Sequence, residues 1–328
     1  MTSPEQLLFA RVRGLPIRRP TNDRGDRLER DAAWMLRIAA VTQPALDPFV
    51  RTADRSRANM LKSVRLVHGP RRKLASVLDA TLAGCPVRMY DPGPKAHGTL
   101  LYFHGGGWVS GDLDTHDHLC RRLAADGEQR VIAVHYRRAP EHPFPTPVND
   151  AVATFRALAA TEGPHVAIGG DSAGGNLAAV ASQVVRDEGD AIQPWFQLLI
   201  YPATDFRRVT GSHRALEVGY LLEKDDLDFY QGCYAPDVLH RRASPLLHPD
   251  LANLAPAIVV SAGFDPLRDD AEQYAEALIR HGGTVDDLRF PGLLHGFVNM
   301  DGALPSADAA MRVITEACIR RWATIPSA

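Results

Sequence analysis

The chain has 328 residues, enough to bury a large core in one elaborated α/β domain or in two domains. Hydrophobic residues make up 45% and charged residues 23%, and the net charge of -2 offers no field to draw in nucleic acid or acidic lipid. No apolar run approaches membrane-spanning length, and the start Met1-Thr2-Ser3-Pro4-Glu5-Gln6 lacks the basic and apolar regions of a signal peptide, so a cytoplasmic protein with no membrane partner is expected.

Residues 1–75 are Arg-rich and helical in pattern. Leu28, Ala32, Met35, Leu36 and Ala39 recur at helical spacing, and Pro44 and Pro48 end that segment. A second segment, about 52–66, carries Ala58, Met60, Leu61 and Val64. Two short amphipathic helices ahead of a sheet need a surface to lie on, and they read as part of a lid. Arg71-Arg72-Lys73 reads as a solvated basic loop.

From about residue 76 the period changes. Val77, Asp79, Thr81 and then Val87 to Tyr90 alternate like two antiparallel strands joined at Gly84. Thr99-Leu100-Leu101-Tyr102-Phe103 is continuous and apolar, as suits a strand buried on both faces. It runs directly into His104-Gly105-Gly106-Gly107-Trp108. Three glycines after a core strand let backbone N–H groups turn toward one point, which the tetrahedral intermediate of acyl transfer requires.

Asp114-Thr115-His116-Asp117-His118 resembles a metal-binding run. On a helix, however, His116 and His118 point apart, whereas ligand pairs need a spacing of four. His116 and Asp117 are expected to cap the helix that follows or to brace the glycine loop. The four cysteines, Cys85, Cys120, Cys233 and Cys318, form no C-x-x-C pair and read as plain apolar residues, so neither a metal nor a disulfide framework is expected.

Val131 to Val134 is another buried strand, and a helix over about 147–161 leads to Val166-Ala167-Ile168. Alternating strands and helices argue a mostly parallel sheet with crossover helices. Next comes the tight turn Gly169-Gly170-Asp171-Ser172-Ala173-Gly174-Gly175, then a helix from Asn176 to about Val185. Strand, glycine-flanked serine and helix is the context of a nucleophile elbow. Ser172 would sit in a strained conformation, so its neighbours Gly170 and Gly174 need to lack a Cβ. The Ala173 N–H, at a helix start, would lie beside it.

Phe196 to Ile200 is a strand, residues 205–240 lose the α/β rhythm and read as a second part of the lid, and Pro256 to Ala262 resumes the sheet. A helix over about 269–281, a last strand from Asp286 to Phe290, a loop from Pro291 to Phe297 and a helix over about 306–323 complete the chain. Ser172, Asp265 and His295 each fall just after a core strand, and such strand ends converge on one edge of a parallel sheet. A serine hydroxyl needs a base, His295 suits that role near neutral pH, and Asp265 would fix its tautomer. Asp269 is a rival acid but falls inside the following helix, while Asp205 and Glu217 come too early in the sheet order.

These motifs, with Tyr136-Arg137 and Ala139-Pro140-Glu141-His142-Pro143, together resemble the hormone-sensitive-lipase-like carboxylesterases, α/β-hydrolases, in the branch with a Gly-Asp-Ser-Ala-Gly elbow. The similarity runs from about residue 85 to 320. It implies Ser172 as nucleophile, His295 as general base, Asp265 as orienting acid, and an oxyanion hole from Ala173 with Gly106 and Gly105 or Gly107. It implies a catalytic domain over 76–328, a cap from 1–75 and 205–240, short acyl substrates, no cofactor and a homodimer. The small-molecule ester could equally be an amide on the same triad. An interfacial lipase has no large exposed apolar face to support it. A dead, ligand-binding scaffold such as the plant gibberellin receptors is disfavoured, because His295 is present.

Overall fold

A computed structural model describes residues 15–42 and 51–325. Eight strands form one sheet: β1 (Ser76–Leu82), β2 (Cys85–Asp91), β3 (Thr99–Phe103), β4 (Arg130–Val134), β5 (Val166–Asp171), β6 (Gln197–Ile200), β7 (Ala257–Phe264) and β8 (Val285–Leu294). Their order is β1-β2-β4-β3-β5-β6-β7-β8. β1 and β2 form an antiparallel hairpin, and β2 pairs antiparallel with β4. From β4 to β8 every pairing is parallel. Strands β3, β5, β6 and β7 are buried along their whole length, which explains why they read as unbroken apolar runs.

The helices are α1 (Arg30–Thr42), α2 (Ala53–Val67), α3 (Asp117–Asp126), α4 (Thr146–Glu162), α5 (Ala173–Asp187), α6 (Gly211–Ala215), α7 (Lys224–Tyr234), α8 (Arg268–Arg280) and α9 (Pro305–Trp322). Alternation along β3 divides the core in two. Leu101 and Phe103 join one apolar cluster with Phe155 of α4, Leu177 of α5 and Tyr274 of α8. Leu100 and Tyr102 join the other with Ala32 of α1, Leu119 of α3 and Met311 of α9. Helices therefore cover both faces, as parallel crossovers demand.

The two amino-terminal helices part company. α1 packs on the sheet face beside α9, where the Asp31 carboxylate accepts from the Ser306 backbone N–H at 2.9 Å and from its hydroxyl at 2.8 Å. It thereby satisfies one of the unpaired donors at the start of α9. This differs from the expectation that both helices lie in a lid: α1 buries Ala32 and Ala33 against the core beside the sheet rather than over the cavity. α2 instead lies beside α7. Arg51 pairs with Asp226 at 2.6 Å, and the Ser56 hydroxyl is 3.4 Å from the Tyr230 hydroxyl. Pro44 and Pro48 lie outside the described residues.

Residues 71–73 form a loop in which Arg71 and Lys73 are exposed, as expected, while the half-buried Arg72 holds Asp126 through two bonds of 3.0 Å. Two further expectations are corrected. The expected loop from Pro291 is strand as far as Leu294. β8 is the sheet edge, where the missing proline N–H removes no ladder bond, and the partner strand shifts register between Ala262 and Phe264 to let Gly263 approach the Pro291 backbone. Finally, the helix after the elbow begins at Ala173 rather than Asn176.

The end of α2 is tied to the loop before α9. The Gly302 N–H donates to the Val67 carbonyl at 3.1 Å, and His68 stacks on His118 with ring centres 4.8 Å apart. Burial and the neighbouring His118 push His68 down to about 4. His118 Nε2 and Arg122 Nη1 converge on Asp301 at 2.7 and 2.6 Å. Burial works to raise the Asp301 pKa, but the bonds from His118 and Arg122 prevail and hold it at about 2. Because this folded value lies below the unfolded one, its stabilisation is present above pH 4 and is lost as pH falls toward 2. Asp301→Asn is expected to cost about 2 kcal/mol near neutral pH. Urea unfolding of both proteins should show that difference shrinking between pH 4 and 2.

Candidate active site

Three strand ends meet at one edge of the sheet. β5 ends at Asp171, and Ser172 follows with φ 54° and ψ -117°, a left-handed conformation that a serine adopts only under constraint. The turn is tight enough that a Cβ on Gly174 would strike the Phe103 carbonyl, and one on Gly170 would strike the Gly174 backbone. Asp265 follows β7, and His295 follows β8.

These three side chains are brought into one chain of hydrogen bonds. His295 Nε2 is 3.0 Å from Ser172 Oγ, and His295 Nδ1 is 2.7 Å from Asp265 Oδ2. Asp265 is fully buried, and its other oxygen accepts the Leu267 N–H at 2.8 Å. A buried carboxylate beside Nδ1 places the imidazole proton there, leaving the Nε2 lone pair facing the serine hydroxyl. The Tyr201 ring, 4.5 Å from the imidazole centre to centre, supports it from the side.

The rival acids are engaged elsewhere. Asp269 bonds Arg24 at 2.8 Å, Arg268 at 2.9 Å and the Ser212 N–H at 2.8 Å. Asp205 pairs with Arg207 at 2.7 Å, and Glu217 is exposed.

The glycine loop after β3 faces the same point. Gly106 and Gly107 have φ of 114° and 60°, which glycine adopts without the strain a Cβ would bring. Neither amide donates to the loop or turn bonds around it, and the Ala173 N–H lies in the first turn of α5, where no intrahelical acceptor exists. Gly105 differs: its N–H donates to Asp171 Oδ1 at 3.0 Å. That engagement removes Gly105 from the donors expected of the sequence and leaves Gly106, Gly107 and Ala173.

Asp171 is the residue whose importance the sequence did not disclose. Its carboxylate also accepts from the Tyr102 hydroxyl at 2.8 Å and lies 3.3 Å from His116 Nε2. Burial would raise its pKa, but the charge of His116 and the bonds from His116, Tyr102 and Gly105 hold it below the ordinary value. His116 sits at the start of α3 without capping it and braces the glycine loop through Asp171, which holds the Gly105 N–H. His118 turns away to Asp301, and among the described residues no cluster has the makings of a metal site.

A cavity of about 250 Å³ opens over Ser172 and His295. Met60 of α2, Leu227 and Tyr230 of α7, Phe206, Trp108 and Met300 supply much of its wall. Trp108 stacks flat on Tyr234 at 4.5 Å, which fixes the floor next to the glycine loop.

The comparisons with known proteins agree with this architecture. Residues 100–299 match the model of an α/β-hydrolase-fold family. The carboxylic ester hydrolase LipN of Mycobacterium tuberculosis is 44% identical over 266 residues, covering 75% of this chain and 70% of that protein. An ethyl acetate hydrolase of Pseudomonas putida is 36% identical, covering 81% of this chain and 89% of that protein. The structure of an ester-hydrolase from the Lake Arreo metagenome, complexed with a bipyridine phosphonate derivative, superposes with a TM-score of 0.86 at 36% identity, covering 90% of this chain and all of that one. The fold is that of the α/β-hydrolases. Within them, the chain belongs to the hormone-sensitive-lipase-like esterases.

Asp171→Ala would orphan the Gly105 N–H and the Tyr102 hydroxyl in the interior. We expect a loss of about 2–4 kcal/mol of stability, read from the urea midpoint. Asp171→Asn, which keeps one acceptor, should lose less.

Proposed function

We propose that this serine carboxylesterase hydrolyses small carboxylic esters of short to medium acyl chain through an acyl-enzyme on Ser172. The observation that carries the reading is the Ser172–His295–Asp265 chain, with links of 3.0 and 2.7 Å ending on a carboxylate sealed from water. In this reading Ser172 Oγ attacks the ester carbonyl as His295 Nε2 takes its proton. Asp265 stabilises the resulting imidazolium, as a buried carboxylate on Nδ1 does in serine hydrolases generally. The Gly106, Gly107 and Ala173 amides receive the oxyanion, each such donor contributing about 3 kcal/mol in comparable sites. His295 returns the proton to the leaving alcohol, and a water activated at the same nitrogen then releases the acid.

The cavity's apolar wall suits an alkyl chain, and α2 with the 205–240 segment serves as its cap. Arg57 of α2 holds that cap down, donating to the Val109 carbonyl at 2.9 Å and to Glu141 at 2.6 Å. The short bonds to Glu141 hold its carboxyl at about 2.

The test is hydrolysis of p-nitrophenyl esters from acetate to palmitate by wild type, Ser172→Ala and Asp265→Asn. We expect wild-type turnover strongest on short chains, at least a 10³-fold loss in Ser172→Ala, and about a 10³- to 10⁴-fold loss in Asp265→Asn. A Ser172→Ala protein of undiminished activity would overturn the nucleophile. Faster turnover of a matched amide would make the chain an amidase.

A further inference from the structure

A second imidazole–carboxylate pair lines the same cavity and takes no part in the chain of bonds to Ser172. His213 comes from α6 and Asp270 from α8, and both reach the cavity wall. His213 Nε2 is 3.0 Å from Asp270 Oδ1. Asp270 Oδ2 accepts two backbone N–H groups, from Thr204 at 3.0 Å and from Asp205 at 3.1 Å. The pair is well buried, with His213 8% and Asp270 1% exposed. Burial pushes the Asp270 carboxyl above its ordinary value, and the bonds from His213 and the two backbone donors act against that push.

The donor geometry decides the tautomer. Three N–H groups converge on one carboxylate, so Nε2 carries a proton, and in the neutral tautomer of the ring the lone pair is on Nδ1. Among the described residues that Nδ1 has no hydrogen-bond partner. The charged groups of the wall are already paired: Asp226 with Arg51, Arg208 with Asp228, and Asp205 with Arg207. What remains on this part of the wall is an oriented acceptor that no described protein donor meets, and a ligand hydroxyl entering the cavity can supply that donor.

We propose that His213 is a specificity residue that accepts a hydrogen bond from a hydroxyl carried by the substrate, so that the enzyme favours hydroxylated esters over otherwise matched esters without a donor. The proposal rests on the esterase reading above. Asp270 acts through His213: it holds the ring and sets which nitrogen faces the substrate.

The experiment uses triads of esters in mildly alkaline buffer: a parent ester, its hydroxyl derivative and its methoxy derivative. The substituent is moved along the acyl chain and then along the alcohol. The readout is the ratio of kcat/KM for hydroxyl over methoxy within each protein. Wild type should favour the hydroxyl about tenfold at one or more positions. His213→Phe should bring that ratio close to one. Asp270→Asn is the independent arm. Its side-chain oxygen can keep the Thr204 and Asp205 bonds, while its amide donates to Nε2 and moves the ring proton to Nδ1. The methoxy derivative, a pure acceptor, should then gain on the hydroxyl. A wild type with no hydroxyl preference at any position overturns the proposal, as does a His213→Phe protein that keeps the preference. If His213→Phe does not fold, the Asp270→Asn ratio decides. Absence of any ester hydrolysis by wild type would overturn the esterase reading first and this proposal with it, whereas a normal chain-length profile with flat ratios overturns this proposal alone.

Discussion

The Asp171 carboxylate joins the two pieces of backbone that the site cannot do without. It terminates β5 immediately before Ser172, and it holds the Gly105 N–H at the start of the glycine loop. The Ser172 turn and the glycine loop are therefore referenced to one buried group. Tyr102 and His116 complete the set of donors around it, so the carboxylate keeps its charge despite full burial. A buried ion this well satisfied is a rigid anchor; the same ion lacking a partner would be a liability of several kcal/mol. Its neighbours are fixed in turn, because Gly174 has no room for a Cβ against Phe103 and α5 must start at once.

Rigid anchoring at the sheet edge contrasts with how the cavity roof is held. α2 meets the body of the protein largely through polar contacts, Arg57 with Val109, Ala139 and Glu141 and Ser56 with Ser110 at 2.7 Å, and Arg51 joins it to α7 through Asp226. Only Val64 of α2 is buried, and only Tyr234 of α7. Elements with few buried apolar contacts open locally at lower free energy than core strands. The division places Ser172, Asp265 and His295 on the stable part and the α2 side of the cavity wall on the part that can yield.

What could be read from the chain follows the range of the interactions involved. The core strands were legible because burial on both faces writes an apolar run into consecutive residues, as at Thr99–Phe103. The strand-end residues Ser172, Asp265 and His295 were legible because short motifs mark them, and the topology then brings them together. Contacts across the chain were not legible. Arg72 reaches Asp126, Asp31 reaches Ser306, and His213 reaches Asp270 with no local pattern to announce any of them. Pro291 was misread as a loop residue because its place in a strand depends on β8 being the sheet edge, a fact of topology. The Gly105 amide was counted among the free donors because nothing in a run of three glycines tells which N–H already has an acceptor.

The two imidazole–carboxylate pairs in the cavity make the same point about chemistry. Both carboxylates leave the end of β7 and the start of α8 within six residues of each other, and both bind a ring nitrogen at hydrogen-bond distance. Residue type does not separate their roles; position does. His295 presents its free nitrogen to a serine strained into a turn, where a lone pair has a proton to take. His213 lines the cavity, and in our proposal its other nitrogen meets a ligand there. An identical device thus serves reaction at one wall and recognition at another, and the backbone that carries each ring decides which.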